Sequence, residues 1–128
     1  MQLLGLRTTI YPAKDLAASK QWFEGLLGIQ PYFDQPFYVG FNVAGYELAL
    51  DPYADAAAGP VAYWGVADAE SGLAELLRAG ATEHAPLREV GDGIRVAAVL
   101  EPADGVFAII ENPHFEATPF PPEVGPGR

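Results

Sequence analysis

Cysteine is absent from the 128 residues, which excludes disulfides, thiolate metal sites and a cysteine nucleophile. Histidine occurs only twice, at His84 and His114, so a metal site built on imidazoles has little to draw on. Cationic side chains are scarce too: seven Lys and Arg stand against seventeen Asp and Glu, a formal net charge of −10. A surface of that sign repels phosphate backbones and anionic lipid, so no nucleic-acid or membrane partner is expected; the charge serves solubility. No apolar run approaches the ~18 residues of a membrane-spanning helix. Met1 to Arg7 lack a basic start, a sustained apolar segment and a small-residue cleavage site, so no signal peptide is expected and a cytoplasmic setting is the default. A serine–histidine–aspartate order, a phosphate loop and a dinucleotide fingerprint are also missing, and Gly91-Asp92-Gly93 is a turn rather than a phosphate cradle.

What is present is a pattern stated twice. Half the residues are hydrophobic, enough for one domain with a substantial core. The strand-like run Leu3 to Tyr11 leads into Asp15-Leu16 and a helix-like stretch ending at Leu27-Gly28. Val61 to Val66 leads into Asp68-Ala69 and a second helix-like stretch ending at Ala79-Gly80. A unit repeated at this length cannot bury its apolar face alone, so the copies are expected to pack on each other or on a partner's copies.

In the first repeat Leu4, Leu6, Thr8 and Ile10 share one strand face, and Pro12, which cannot donate to a ladder, ends the strand or places it at an edge. Asp15 suits an N-cap, Leu16, Phe23, Leu26 and Leu27 recur at helical spacing, and Gly28 suits a left-handed C-terminal cap. Strands are then predicted over Pro31–Phe33, Phe37–Val43 and Tyr46–Leu50, separated by turns at Asp34-Gln35-Pro36 and Ala44-Gly45. Residues 51–60 link the repeats. In the second repeat Ala69, Leu73, Leu76 and Leu77 form the helix stripe, interrupted by Gly72. Strands follow over His84–Val90, Ile94–Leu100 and Val106–Glu111. Trp22, Phe23 and Trp64 are expected in the core. From Pro113 the chain carries Pro119, Pro121, Pro122 and Pro126 and is expected to be an extended, partly disordered tail.

Each repeat is therefore strand–helix–strand–strand–strand, an α+β unit whose twisted strands take a helix on one face and leave a concave face on the other. Two such sheets side by side would enclose a cavity suited to a small molecule.

The residues resemble the vicinal oxygen chelate superfamily, the glyoxalase/bleomycin-resistance/extradiol-dioxygenase family. Asp15-Leu16-Ala17-Ala18-Ser19 with Trp22-Phe23 and Leu26-Leu27-Gly28 resembles its helix signature. Tyr46-Glu47-Leu48-Ala49-Leu50 resembles the last strand of a family half, and Asp104-Gly105 with Phe107-Ala108-Ile109-Ile110-Glu111 resembles the closing strand of the second. The resemblance spans residues 3–112, implying one domain of two repeats, 3–51 and 60–112, followed by a tail from 113 to 128. It is specific for the fold and unspecific for function, since the superfamily holds isomerases, dioxygenases, thiol transferases and drug binders.

The resemblance also implies four metal-ligand positions. They fall on Thr8, Glu47, Val61 and either Ala108 or Ile109, depending on how Gly105 is aligned. A catalytic metal needs about three protein ligands, and here Glu47 is the one strong donor. No metal or other cofactor is expected. Glu111, by alternation, points opposite to Ala108 and reads as a strand-end or capping carboxylate. The candidate ligand-binding set is Thr8, Tyr38, Asn42, Glu47, Tyr63 and Arg95, with Gly40 giving room between Tyr38 and Asn42. Glu47 is the candidate catalytic group: a general base, a counterion for a cationic ligand, or an internally paired remnant of a metal site. Arg95 either reaches the same cavity or pairs with Glu47 or another carboxylate. Three functions stay open: a metal-independent small-molecule binder, a glyoxalase- or dioxygenase-like metalloenzyme with an atypical site, and a non-catalytic interaction protein. A homodimer is expected, because free sheet edges and a face carrying Tyr38, Phe41 and Tyr63 exceed what one small chain covers.

Overall fold

Both helix-start aspartates cap as their spacing implies. The carboxylate of Asp15 accepts the Ala18 N–H at 3.1 Å and that of Asp68 accepts the Glu70 N–H at 3.2 Å, each satisfying a donor that the first helical turn leaves without a partner. In a computed structural model that describes residues 1–115, the elements run in the anticipated order. They are β1 (Gly5–Pro12), α1 (Leu16–Leu27), β2 (Phe33–Gln35), β3 (Tyr38–Val43), β4 (Tyr46–Asp51), a short 3-10 turn (Ala56–Ala58), β5 (Val61–Gly65), α2 (Ala69–Arg78), β6 (Thr82–Gly91), β7 (Ile94–Leu100) and β8 (Val106–Glu111). The fold is α+β, each repeat contributing strand–helix–three strands.

The chain divides into two compact units that differ from the repeats by half a strand. Residues 9–60 with Phe115 form the repeat-one unit; residues 1–8 and 61–114 form the repeat-two unit. The first half of β1 therefore belongs with the second repeat, where the Leu4 N–H donates to the Gly65 carbonyl at 2.8 Å.

In the repeat-one unit the strands lie in the order β2-β3-β4 followed by the second half of β1, with β2-β3-β4 antiparallel. Val39, Phe41 and Val43 of β3 and Leu48 and Leu50 of β4 turn to α1, where they pack with Ala13, Tyr11, Leu16, Phe23 and Leu27. Gly28 ends α1 at φ 70°, its N–H donating to the Glu24 carbonyl at 2.9 Å. Three expectations need correction here. Trp22 and Leu26 lie outside the core, each 62% exposed, because they flank the Leu16–Phe23–Leu27 stripe by about a quarter turn. Phe41 is fully buried under α1 and not on the open face, since it shares the parity of Val39 and Val43. β2 begins at Phe33 rather than Pro31, because the hairpin closes through the two-residue turn Pro36-Phe37 and leaves Asp34 and Gln35 in the ladder.

In the repeat-two unit the order is the first half of β1, then β5-β8-β7-β6, with β5 and β8 parallel and β8-β7-β6 antiparallel. α2 covers one face through Val66, Ala69, Ala97 and Ile109, with Leu73, Leu76, Leu87 and Phe107 against them. Gly72, which reads from sequence as a weak point, packs against β8: a Cβ there would lie 3.1 Å from Ile109 Cδ1. Past β8 the chain is anchored at least to Phe115. His114 Nε2 donates to the Asp92 carbonyl at 2.9 Å, and in the repeat-one unit the Phe115 ring lies 6.3 Å from that of Tyr46. His114 and Phe115 thus make contacts at the start of the tail, and the expectation for residues 116–128 lies outside the described residues. No helix among the described residues is long and apolar enough to cross a membrane.

Candidate functional site

The β3–β4 hairpin builds the strongest candidate. Ala44-Gly45 closes it with two successive positive φ values, 57° and 89°, the pairing a two-residue hairpin turn needs. That register sets Asn42 opposite Glu47 and Gly40 opposite Ala49, and the β2–β3 register adds Phe33 opposite Gly40. Tyr38, Gly40, Asn42, Glu47 and Phe33 therefore share the face away from α1.

On that open face the Glu47 carboxylate is gripped from two sides. The Tyr38 hydroxyl donates to Oε1 at 2.7 Å, and the Tyr32 hydroxyl donates to Oε2 in a short hydrogen bond. Gly40 makes this possible, since a Cβ at that position would lie 2.6 Å from Glu47 Oε2 and 3.0 Å from the Tyr32 ring. Tyr32 reaches over the strand because its own N–H donates to the Gly40 carbonyl at 3.0 Å. Its phenol is held above the ordinary tyrosine range by burial around the hydroxyl, then by the hydrogen bond to Glu47, then by that carboxylate's charge. The two phenols differ in setting: Tyr38 is half-buried and Tyr32 is 62% exposed. Phe33 extends the aromatic surface, its ring 6.1 Å from Tyr38 and 6.0 Å from Phe37.

The other anticipated residues are placed differently. The Asn42 side chain turns into its own hairpin, where Oδ1 accepts the Gly45 N–H at 2.8 Å. Thr8, 4% exposed, and the half-buried Tyr63 belong to the repeat-two unit. Tyr63 pairs with Ala108 on the open face of that unit's sheet. Arg95 lies on the opposite face from Tyr63, because it follows the parity of Ala97, which packs under α2. Its guanidinium pairs with Glu111 at 2.6 Å and with Asp68 at 2.9 Å, and not with Glu47. Glu111 also accepts the Ala69 N–H at 2.9 Å, so Arg95, Asp68 and Glu111 form a cap on α2. As alternation implied, Glu111 faces away from Ala108.

Tyr32 is the site residue that sequence reasoning missed. The signal was the turn: closing the hairpin at Pro36-Phe37 sets Phe33 against Gly40 and leaves Tyr32 one residue beyond, beside the glycine. At the positions that the resemblance marks for a metal, the side chains of Val61, Ala108 and Ile109 carry no donor atom, Thr8 offers a hydroxyl and Glu47 a carboxylate that already accepts from two phenols, and no group of three or more His, Asp or Glu is arranged to hold an ion among the described residues.

No family model and no curated protein matches the sequence. Solved structures do match the fold. Methylmalonyl-CoA epimerase from Streptomyces coelicolor, in complex with 2-nitronate-propionyl-CoA, is 16% identical over 91% of this chain and 99% of its own, with a TM-score of 0.68. A glyoxalase/bleomycin resistance protein/dioxygenase superfamily member from Vibrio splendidus is 19% identical over 83% and 97%, with a TM-score of 0.64. A structure named as an NAD-dependent benzaldehyde dehydrogenase, from Legionella pneumophila, is 17% identical over 81% and 96%, also at 0.64. At these identities the likeness speaks to architecture: the chain has the fold of the glyoxalase/bleomycin-resistance/dioxygenase superfamily.

Proposed function

We propose that this protein binds a small organic molecule on the open face of its repeat-one unit without a metal, and that Glu47 is the group that recognises it. One observation carries the reading: a carboxylate held by two phenolic hydroxyls on a face that also presents Phe33 and, over Gly40, the flat ring of Tyr32. Aromatic walls around a few fixed polar groups are the usual make-up of a small-molecule site. Thr8 and Tyr63, which lie in the repeat-two unit, remain candidate ligand contacts of that unit alone. Arg95 leaves it, because its charge is spent on Asp68 and Glu111, and Asn42 leaves it because its amide serves the turn. The reading gives Glu47 the role of a hydrogen-bond acceptor for the ligand rather than of a general base, because two phenols already use it as an acceptor.

The proposal includes a cytoplasmic setting and a homodimer. Trp22 and Leu26 on α1, with Phe37 at the hairpin tip, are large apolar groups left exposed in the repeat-one unit and support self-association. A monomer mass by light scattering at both low and high salt removes the dimer from the account.

The functional test is thermal melting against a panel of small neutral and cationic aromatics. Compounds that raise the melting temperature of the wild type and lose that effect on Glu47→Gln support the reading. A panel without any such compound overturns it.

A further inference from the structure

The open-face site already contains a ligand-shaped group of its own. Tyr32 lays a flat ring over Gly40, within 3.0 Å of where a Cβ would stand, and turns a hydroxyl onto Glu47 Oε2. It sits just before β2, a three-residue strand that is exposed throughout. The Lys20–Asp34 ion pair, at 2.5 Å, links that strand to α1 through side chains other than that of Tyr32. Among the described residues, one side-chain hydrogen bond holds the 62% exposed Tyr32, whereas Tyr38 approaches the other carboxylate oxygen from a half-buried position on β3. One donor is built into the sheet and the other stands on the surface.

We propose that Tyr32 is a displaceable internal occupant, and that the molecule this site takes is a flat aryl alcohol whose ring lies on Gly40 and whose hydroxyl donates to Glu47 in place of the Tyr32 phenol. The inference rests on the reading of Glu47 as the recognition group. The tyrosine specifies the ligand because the recess has to fit its ring and the carboxylate has to accept its hydroxyl. It also sets a threshold. A ligand binds only to the fraction of molecules in which Tyr32 has swung out, so apparent affinity falls by that fraction, and removing the side chain restores it.

The probe is p-cresol, the tyrosine side chain without its backbone, with toluene as the same shape lacking the hydroxyl. Binding to wild type, Tyr32→Ala and Tyr32→Ala/Glu47→Gln is read by calorimetry or ligand-observed NMR. The expected result is at least a tenfold tighter complex of p-cresol with Tyr32→Ala than with wild type, little gain for toluene, and loss of the gain in the double variant. Equal affinity of p-cresol for wild type and Tyr32→Ala overturns the displacement while leaving Glu47 as a binding group. An equal gain for toluene overturns the role of the hydroxyl. Absence of p-cresol binding to every form overturns the choice of ligand class, and the panel melting experiment separately decides whether Glu47 binds anything.

A second measurement needs no truncation. In wild type carrying 13C at the tyrosine ring carbon that bears the hydroxyl, saturating p-cresol is expected to bring the Tyr32 titration down toward the ordinary phenol value of 10.0. A Tyr32 titration that stays high with p-cresol bound contradicts displacement.

Discussion

A Cβ on Gly40 would stand 2.6 Å from Oε2 of Glu47, so the glycine and the carboxylate are fitted to each other across the β3–β4 ladder. A Cβ contact that close does not occur without something moving, and here both neighbours, the carboxylate and the Tyr32 ring, are the site. Gly40→Ala is expected to release the Tyr32–Glu47 hydrogen bond and to cost ~1–3 kcal/mol, the usual size of an overpacking penalty. Urea unfolding gives the cost, and the Tyr32 ring shift in NMR reports the lost bond.

The two phenols hold one carboxylate from unlike settings, and their removal is expected to differ accordingly. Tyr38→Phe takes a half-buried donor from a charged acceptor and should destabilise by about 1–2 kcal/mol, whereas Tyr32→Phe, at the surface, should cost less than about 1 kcal/mol. Chemical denaturation of both variants beside wild type checks the order. Equal costs would mean that the Tyr32 hydroxyl is fixed as firmly as that of Tyr38.

Acid should loosen the α2 cap. The Glu111 carboxyl is held below its ordinary value of 4.5, first by the Ala69 N–H it accepts and then by the Arg95 guanidinium. A carboxyl with a depressed folded pKa gives stability that is fully present above its unfolded value and is lost as pH falls through the folded one. Melting temperature should therefore decline more steeply for wild type than for Glu111→Gln from about pH 5 to about pH 3, with the two curves converging at the acid end.

Ala44 stands at φ 57° in the hairpin turn before Gly45, a conformation that asparagine adopts more readily than alanine. Ala44→Asn is expected to stabilise the hairpin by about 0.5–1 kcal/mol, because Asn-Gly is the preferred pair for such a turn. The denaturation midpoint of the variant measures it, and an unchanged or lower midpoint contradicts the strain.

Local signals made most of the fold readable from sequence. Asp15 and Asp68 announce their helices through capping, Gly28 closes α1, and period-two alternation sorts Glu47 and Ala49 from Leu48 and Leu50 correctly. Misreadings arose where the outcome depends on a neighbouring element. Trp22 is apolar and lies beside Phe23, yet a stripe as narrow as that of α1 leaves it outside, its indole edge-on to the Phe23 ring at 4.9 Å. Arg95 carries no local mark of its partner, because Asp68 and Glu111 reach it through tertiary packing. Tyr32 became visible only once the Pro36-Phe37 turn had fixed the β2–β3 register.

The central claim is a binding site built on Glu47 that works without a metal. Its most direct test is a calorimetric titration of the best compound from the melting panel into protein dialysed against EDTA, set beside the same titration with zinc, nickel or ferrous iron restored. The account predicts one dissociation constant throughout. An affinity lost on chelation and recovered with one of the metals would contradict it.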